Sequence, residues 1–113
     1  MWQKTHELVL LTYKLTKTFP SDERFGLTSQ MRRASVSTGS NIVEGFKRRS
    51  VKDSLLFYNN ADASLEELKY QYLVAEDLGY LVETENRRAA ELCDHVGKLL
   101  YSWCASQREN AKT

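Results

Sequence analysis

The sequence has few of the residues that interrupt regular structure, with one proline and five glycines among 113 residues. Proline and glycine are the poorest helix formers, so their scarcity leaves room for long uninterrupted helices. Long apolar runs are also missing. No stretch approaches the roughly 20 apolar residues that span a bilayer, and none resembles the apolar core of a signal peptide. We therefore expect an all-α protein of the cytoplasm that does not enter the membrane.

Cysteine is scarce as well, with only Cys93 and Cys104 in the chain. They are eleven positions apart, which places both on one helical face about three turns apart. That separation is too large for a disulfide, and the pattern does not match a zinc site. We expect reduced, buried thiols; pairing between subunits is the alternative if they are exposed.

Catalytic patterns are absent. His6 and Glu7 begin like the helix motif of zinc proteases, but the second histidine of that motif would have to replace Leu10. The acidic pairs are adjacent in sequence and therefore diverge around a helix, and no glycine-rich loop resembles a phosphate site. We predict a non-enzymatic protein without a metal ion or a cofactor.

Apolar periodicity organises the stretch from residue 50 to residue 78. One set of apolar residues recurs there at alternating spacings of three and four, as on one face of a helix: Tyr58, Ala61, Leu65, Leu68, Tyr72 and Ala75. A second apolar line lies well round the same helix, at Leu56, Ala63, Tyr70 and Val74. A surface helix of a monomer needs only one apolar stripe. We therefore expect the second line to contact a neighbouring subunit.

The same periodicity, with its stop signals, predicts four helices in a single domain, 1–113. The predicted helices cover about 2–18, 28–48, 51–78 and 84–107. Thr28 or Ser29 is expected to cap the second helix. Short connections between the helices imply an antiparallel up-down-up-down four-helix bundle. Both tryptophans and most tyrosines fall on apolar stripes, so they are expected in the core.

Charge is unevenly distributed, although the whole chain carries only +1. Residues 1–52 carry a net charge of +6, and residues 53–113 carry −5. A basic half beside an acidic half indicates either a surface that binds polyanions or head-to-tail association between copies.

The basic residues form the one cluster in the sequence that suggests a functional site. They lie at the turn between the second and third helices, on the second helix and on the first helix: Lys47, Arg48, Arg49 and Lys52; Arg32 and Arg33; Lys14 and Lys17. The structural interpretation is that such cations offset helix dipoles and improve solubility. The functional interpretation is contact with the phosphates of a nucleic acid. No motif for reading bases is present, so these contacts would carry little sequence information.

Several segments resemble one known family. They are GLTSQMRRA at 26–34, SNIVEGF at 40–46, SLEELKYQ at 64–71 and DLGYL at 77–81, together with the opening from Trp2 to Pro20. The combination resembles the signature of bacterial four-helix-bundle proteins encoded in intervening sequences of 23S ribosomal RNA genes. The resemblance covers nearly the whole chain.

This resemblance implies a homopentameric ring of four-helix bundles. Relatives include the accessory protein of diversity-generating retroelements, which binds nucleic acid and its reverse transcriptase through a basic surface. Arg32 and Arg33 belong to the family signature, so the resemblance also offers them a structural role in ion pairs between subunits, for example with Glu44. We therefore assign RNA contact first to the basic residues of the turn between the second and third helices.

Three classes of function remain open at this stage. The leading hypothesis is a non-enzymatic homo-oligomer that binds structured RNA or another nucleic acid through phosphates. The second is a scaffold that recruits a protein partner such as a reverse transcriptase. The third, a bundle that binds a small molecule or catalyses a reaction, has the weakest support.

Overall fold

The computed structural model describes residues 1–111, and these residues form four α-helices and one 3₁₀ turn. The helices are α1 (Trp2–Thr16), α2 (Leu27–Lys47), α3 (Val51–Asp77) and α4 (Glu83–Ala111), and the 3₁₀ turn is Ser21–Glu23. No strand occurs within the described residues. The all-α prediction is therefore confirmed. Among these residues, no helix is both long and apolar enough to cross a membrane.

Each helix packs against two others, in the cyclic order α1, α2, α3, α4. The four helices form an elongated body that measures 51, 25 and 19 Å along its principal axes. In contacts between α2 and α3, a higher residue number in α2 is matched by a lower residue number in α3. The hydroxyls of Ser37 and Ser64 lie 2.9 Å apart, and the Ser54 hydroxyl donates to the Gly45 carbonyl at 2.7 Å.

The core follows the apolar seam that the sequence predicts for α3. All six residues of this seam are buried, none of them more than 3% exposed. Apolar residues from the other helices complete the core around it, among them Leu8, Leu11, Met31, Ile42, Ala89, Val96 and Leu100. Burying a leucine side chain stabilises a fold by about 1.5–3 kcal/mol, so Leu65 and Leu68 of the seam contribute directly to folding stability.

The prediction that both tryptophans and most tyrosines lie in the core is wrong. Trp2 is 51% exposed and Trp103 is 37% exposed, and among the six tyrosines only Tyr58 and Tyr72 are buried. The apolar stripes therefore extend further around these helices than the buried core does.

Helix ends differ by a few residues from the predicted positions. α1 ends at Thr16, and α4 continues to Ala111. The predicted caps of α2 are wrong: the helix begins at Leu27, and the carboxylate of Glu23 accepts the Leu27 N–H at 3.2 Å. Because an acceptor from the preceding 3₁₀ turn already satisfies this donor, α2 begins without a serine or threonine cap.

The ends of α3 follow local sequence signals. The Ser50 hydroxyl accepts the N–H of Asp53 at 3.1 Å, which caps the first turn. At the other end Gly79 has a φ of 77°, a conformation that residues with a Cβ rarely adopt. The Tyr80 N–H then bonds back to the Ala75 carbonyl at 2.9 Å, as in a Schellman motif.

Candidate nucleic-acid interface

The basic turn, which we define as Lys47, Arg48, Arg49 and Lys52, joins α2 to α3 and is held by hydrogen bonds at both ends. Arg48 leaves the helical conformation with φ −73° and ψ 148°, and its N–H still donates to the Gly45 carbonyl at 3.3 Å. The Ser50 cap begins α3 two residues later, and Ser54 ties the first turn of α3 back to Gly45. The turn is therefore a defined structure and not a loose connection.

Close packing of α2 on α3 supports the turn from below. The ring of Tyr58 lies against Gly45, and a Cβ at this glycine would be 2.8 Å from Cδ1 and 2.9 Å from Cζ of that ring. Real side chains do not approach so closely, so only glycine fits here without a shift. Tyr58 itself is 2% exposed, which makes this contact part of the core.

All four side chains of the basic turn are exposed. Within residues 1–111 none of them forms an ion pair with a carboxylate. Arg48 alone has local contacts: its Nε donates to the Glu44 carbonyl at 3.2 Å, and its guanidinium lies 4.9 Å from the centroid of the Phe57 ring. These contacts orient Arg48 without neutralising its charge, so the turn presents four unpaired cations to solvent.

Arg32 has a different environment, because it is half-buried between α1 and α2. Its Nε donates to the Thr16 hydroxyl at 2.9 Å, a terminal nitrogen donates to the Tyr13 carbonyl at 3.4 Å, and its guanidinium lies 4.7 Å from the Tyr13 ring centroid. Cations near the last carbonyls of a helix are favourable. Arg32 therefore joins the end of α1 to α2.

The remaining predicted cations, Arg33, Lys14 and Lys17, are exposed and lie near Arg32. We call these four residues the second basic group. Fifteen residues of α2 separate Arg32 from Lys47, which at 1.5 Å per residue is about 22 Å. The eight predicted residues thus form two groups toward opposite ends of α2. Their contact with RNA, and the predicted ion pairs between subunits, stay predictions.

Sequence reasoning missed one cation that tertiary packing brings to the basic turn. Arg108 of α4 and Lys52 both line a surface groove of about 510 Å³ beside the start of α3. These residues are 56 positions apart in the chain. No local pattern predicts such a pairing, because it depends on how far α4 extends along α3.

The predicted oligomer contacts of α3 are accessible in the single chain. Leu56 is 57% exposed and Tyr70 is 65% exposed, Ala63 is exposed, and Val74 is half-buried. The sequence reasoning did not find a second apolar surface, a groove of about 430 Å³ between α1 and α2 that is lined in part by Trp2, Val9, Val36 and Val43. Trp2, which is 51% exposed, forms the apolar wall of this groove together with the three valines.

Two cations of the acidic half, Lys69 and Arg87, are paired with carboxylates. Lys69 lies 3.0 Å from Glu66 and 3.7 Å from Asp94, and Arg87 lies 2.7 Å from Glu83. Partial burial lowers the pKa of Lys69, but its hydrogen bond with Glu66 and the charges of Glu66 and Asp94 outweigh that effect and raise the pKa. These cations neutralise neighbouring acids and offer little free charge to a polyanion.

Both cysteines are free and buried, as the sequence predicted. Burial raises the pKa of Cys93 to about 12, and burial also raises the pKa of Cys104. Because the thiolate is the reactive form, neither thiol has the character of a nucleophile near neutral pH. In residues 1–111, no group of three or more histidine, cysteine, aspartate or glutamate residues is arranged to hold a metal ion.

The family model of 23S rRNA-intervening sequence proteins matches residues 1–102. The chain belongs to this family. A crystal structure of a protein with unknown function from the S23 ribosomal protein family of Bacteroides thetaiotaomicron has a similar fold, with a TM-score of 0.82. The two chains are 22% identical, and the match covers 91% of this chain and 96% of that chain. No curated protein matches this sequence.

The family match includes both basic groups and the groove between α1 and α2. It ends one residue before Trp103, so that residue and Arg108 lie beyond the matched part of the chain. At 22% identity the solved structure supports the fold alone. The function of this member has to be inferred from its own surface.

Proposed function

We propose that this member of the 23S rRNA-intervening sequence family is a non-enzymatic homo-oligomer that binds the phosphate backbone of structured RNA or another nucleic acid. The observation that carries the proposal is the basic turn, whose four exposed cations have no ionic partner within residues 1–111. Unpaired lysine and arginine side chains release counterions when they contact phosphates, and this release favours binding.

The rigidity of the turn supports the same proposal. A cation on a hydrogen-bonded turn loses less conformational freedom on binding than a cation on a mobile loop. The turn also lies directly before α3, whose 27 residues direct the positive end of their dipole toward it. Such contacts position a protein on a nucleic acid but do not read its sequence.

For the arrangement of the helices, we propose the antiparallel up-down-up-down order. Support comes from contacts whose residue numbers run in opposite directions, such as the two between α2 and α3. Between α3 and α4, Lys69 approaches Asp94, and the space beside Gly97 is bounded by Leu65. The connections between consecutive helices are short, which favours this topology.

For the assembly, we propose a pentameric ring in which the outer apolar line of α3 contacts the neighbouring copy. Its exposed leucine and tyrosine side chains support this, because isolated soluble chains rarely leave such a line uncovered. The groove between α1 and α2 is a suitable receiving surface, since it belongs to the basic half and the α3 line belongs to the acidic half. A ring would also repeat the basic turn and add avidity.

The binding test is fluorescence anisotropy with a panel of structured RNAs at low and moderate salt. The parent is compared with Arg48→Glu/Arg49→Glu and with Arg88→Glu/Lys98→Glu, a control with the same change in charge at two exposed positions of α4. The turn variant should bind weakly and lower the salt slope by about 1.8, as expected for two lost phosphate contacts. The control should stay close to the parent, and light scattering verifies that all three assemble alike. Salt-insensitive binding, or equal losses in both variants, contradicts the proposal.

The assembly test is Ala63→Glu, with Ala105→Glu on an exposed position of α4 as control. Burying one unpaired carboxylate in a subunit contact costs several kcal/mol, so Ala63→Glu should yield folded monomers while the control still assembles. If Ala63→Glu assembles like the parent, the outer apolar line of α3 is not part of the subunit interface.

A second candidate function is a scaffold that recruits a protein partner, such as a reverse transcriptase. The apolar groove between α1 and α2 favours it, because grooves of this kind accept helices from other proteins. Capture of partners from nuclease-treated cells separates the two candidates. A directly bound protein remains after the nucleic acid is destroyed, whereas a partner bridged by RNA is lost.

A further inference from the structure

Two aromatic side chains meet at the end of the bundle that carries the basic turn. Phe46 of α2 and Trp103 of α4 pack edge to face, with ring centroids 5.8 Å apart and an interplanar angle of 82°. They remain 44% and 37% exposed. On its inner side Phe46 also contacts the buried ring of Tyr58, at 6.1 Å and 68°. The pair is therefore held in place from below and open to solvent above.

The pair lies at the outer edge of a buried cluster. Ile42 precedes Phe46 by one turn and Leu100 precedes Trp103 by nearly one turn, and these two residues are 0% and 2% exposed. Both belong to the core cluster that also contains Tyr58 and Cys104. Unlike these buried residues, the two aromatic rings of the pair are partly open to solvent.

Positively charged residues follow Phe46 of the pair in the chain. Lys47 directly follows Phe46 and begins the basic turn, so cations and aromatic rings lie within one helical turn of each other. Single-stranded nucleic acids are bound by this combination, in which bases stack on aromatic rings while lysine and arginine contact the flanking phosphates. In a duplex the faces of the bases are already stacked inside and cannot reach the rings.

We propose that the Phe46–Trp103 pair is a stacking site for unpaired bases and that this protein prefers single-stranded RNA segments to duplex. This inference rests on the proposed function, since the basic turn supplies the phosphate contacts beside the stacked base. Edge-to-face packing leaves at least one face of each ring uncovered by its partner. The site is sequence-tolerant, because every base has a face that can stack.

The test uses the fluorescence of Trp103. Because the chain has two tryptophans, Trp2→Phe makes Trp103 the only one. This protein is titrated with an oligouridine of about 12 nucleotides, a length within the usual single-strand site sizes, and with an RNA duplex at the same phosphate concentration. We expect saturable quenching by the single strand and little quenching by the duplex.

Affinity is then measured by anisotropy for the parent and for Phe46→Leu, Trp103→Leu and Tyr101→Leu. Loss of one stacked base lowers affinity about tenfold, so the first two variants should lose that factor for the oligouridine and retain duplex binding. Tyr101 is 76% exposed on α4 outside the pair, so its variant is the matched control and should match the parent. Circular dichroism verifies that each variant is folded. If Trp103→Leu does not fold, the affinity of Phe46→Leu and the quenching of Trp103 fluorescence still test the stacking site.

Each contrary result has a separate meaning. Salt-dependent binding without preference for the single strand, unaffected by Phe46→Leu, overturns the stacking site and leaves the phosphate-binding function intact. Absence of binding to both probes overturns the proposed function and the stacking site together. A variant of the pair that loses assembly in light scattering but keeps its single-strand affinity assigns the pair to a subunit contact, which also overturns the inference.

Discussion

The two basic groups of this protein have similar composition and different environments. The basic turn presents four exposed cations on a hydrogen-bonded connection, whereas in the second basic group Arg32 is half-buried and donates to the Thr16 hydroxyl and the Tyr13 carbonyl. One cation that already donates to two protein oxygens has fewer donors left for a ligand. The comparison shows that the partners of a cation, more than its local sequence, indicate whether its charge is available to a ligand.

The difference has a geometric origin. Arg32 faces the last turn of α1, where helix carbonyls lack partners within the helix and accept a donor from outside. The basic turn lies at the end of α2 and the start of α3, where Ser50 and Ser54 already satisfy the local backbone groups. Arg48 donates one hydrogen bond, from Nε to the Glu44 carbonyl, and all four cations of the turn remain exposed.

Gly45→Ala should disturb the support of the basic turn. The new Cβ would overlap the Tyr58 ring, and overpacking of this kind destabilises by about 1–3 kcal/mol. The control is Gly97→Ala, whose Cβ would meet Leu65 at an ordinary 3.5 Å. Urea denaturation measures both changes. We expect a lower midpoint for Gly45→Ala and an unchanged or higher one for Gly97→Ala, because alanine favours the helix.

Similar stability of these two glycine variants would contradict the close approach of α2 and α3. In that case the basic turn could be a flexible connection, and its difference from the second basic group would no longer rest on a fixed structure.

Arg32→Ala should lower the free energy of unfolding by about 1–2 kcal/mol, because it removes charged hydrogen bonds to the end of α1. Arg33→Ala, which removes the same charge from an exposed neighbour, should change it by less than about 0.5 kcal/mol. Thermal and urea denaturation give the two values. If the stabilities are equal and RNA affinity falls only for Arg32→Ala, the structural role of Arg32 is wrong.

The hydroxyl network below the second basic group predicts a pH effect. Thr16 donates to the Thr12 carbonyl at 2.7 Å, and the Thr12 and Tyr72 hydroxyls lie 2.7 Å apart. Burial raises the pKa of Tyr72 well above its ordinary 10.0, while the hydrogen bond with Thr12 opposes that rise. The unfolded chain therefore ionises first. The buried Tyr72 hydroxyl therefore makes its full contribution to the free energy of unfolding below pH 10. Above pH 10 this contribution falls by about 1.4 kcal/mol per pH unit.

Denaturation between pH 9 and 11.5, a range of about 2.5 units around the unfolded pKa, measures this slope. Tyr72→Phe should make the slope above pH 10 shallower by the contribution of Tyr72, while Cys93, whose pKa burial also raises, maintains part of the slope. The variant also lowers stability at neutral pH by removing a buried hydrogen bond. Tyr101→Phe, at an exposed position, should leave the slope unchanged. Identical slopes for all three proteins would show that the Tyr72 hydroxyl is not buried in the folded state.

Local patterns predicted much of this protein. Apolar spacing placed the seam of α3 on one helical face, and all six of its residues are buried. The cap at Ser50 and the helix end at Gly79 could also be predicted from the sequence, because each depends on residues within a few positions of it. Adjacency in the chain likewise placed three cations of the basic turn together.

The errors have one physical cause. A stripe on a helix shows which residues share a face, but coverage depends on the length and position of the neighbouring helices. The sequence reasoning therefore placed Trp2 and Trp103 in the core, although both are exposed. For the same reason it did not predict that Arg32 contacts the end of α1, or that Arg108 lines a groove together with Lys52.

The all-α class, the seam of the core and the position of the basic turn follow from helical periodicity and from residues close in the chain, so they could be predicted from sequence. The packing of the helices decides which cations stay exposed, which aromatic rings reach solvent and how closely α2 approaches α3 at Gly45. Those features depend on contacts between residues far apart in sequence. Their geometry exists only once the helices have packed.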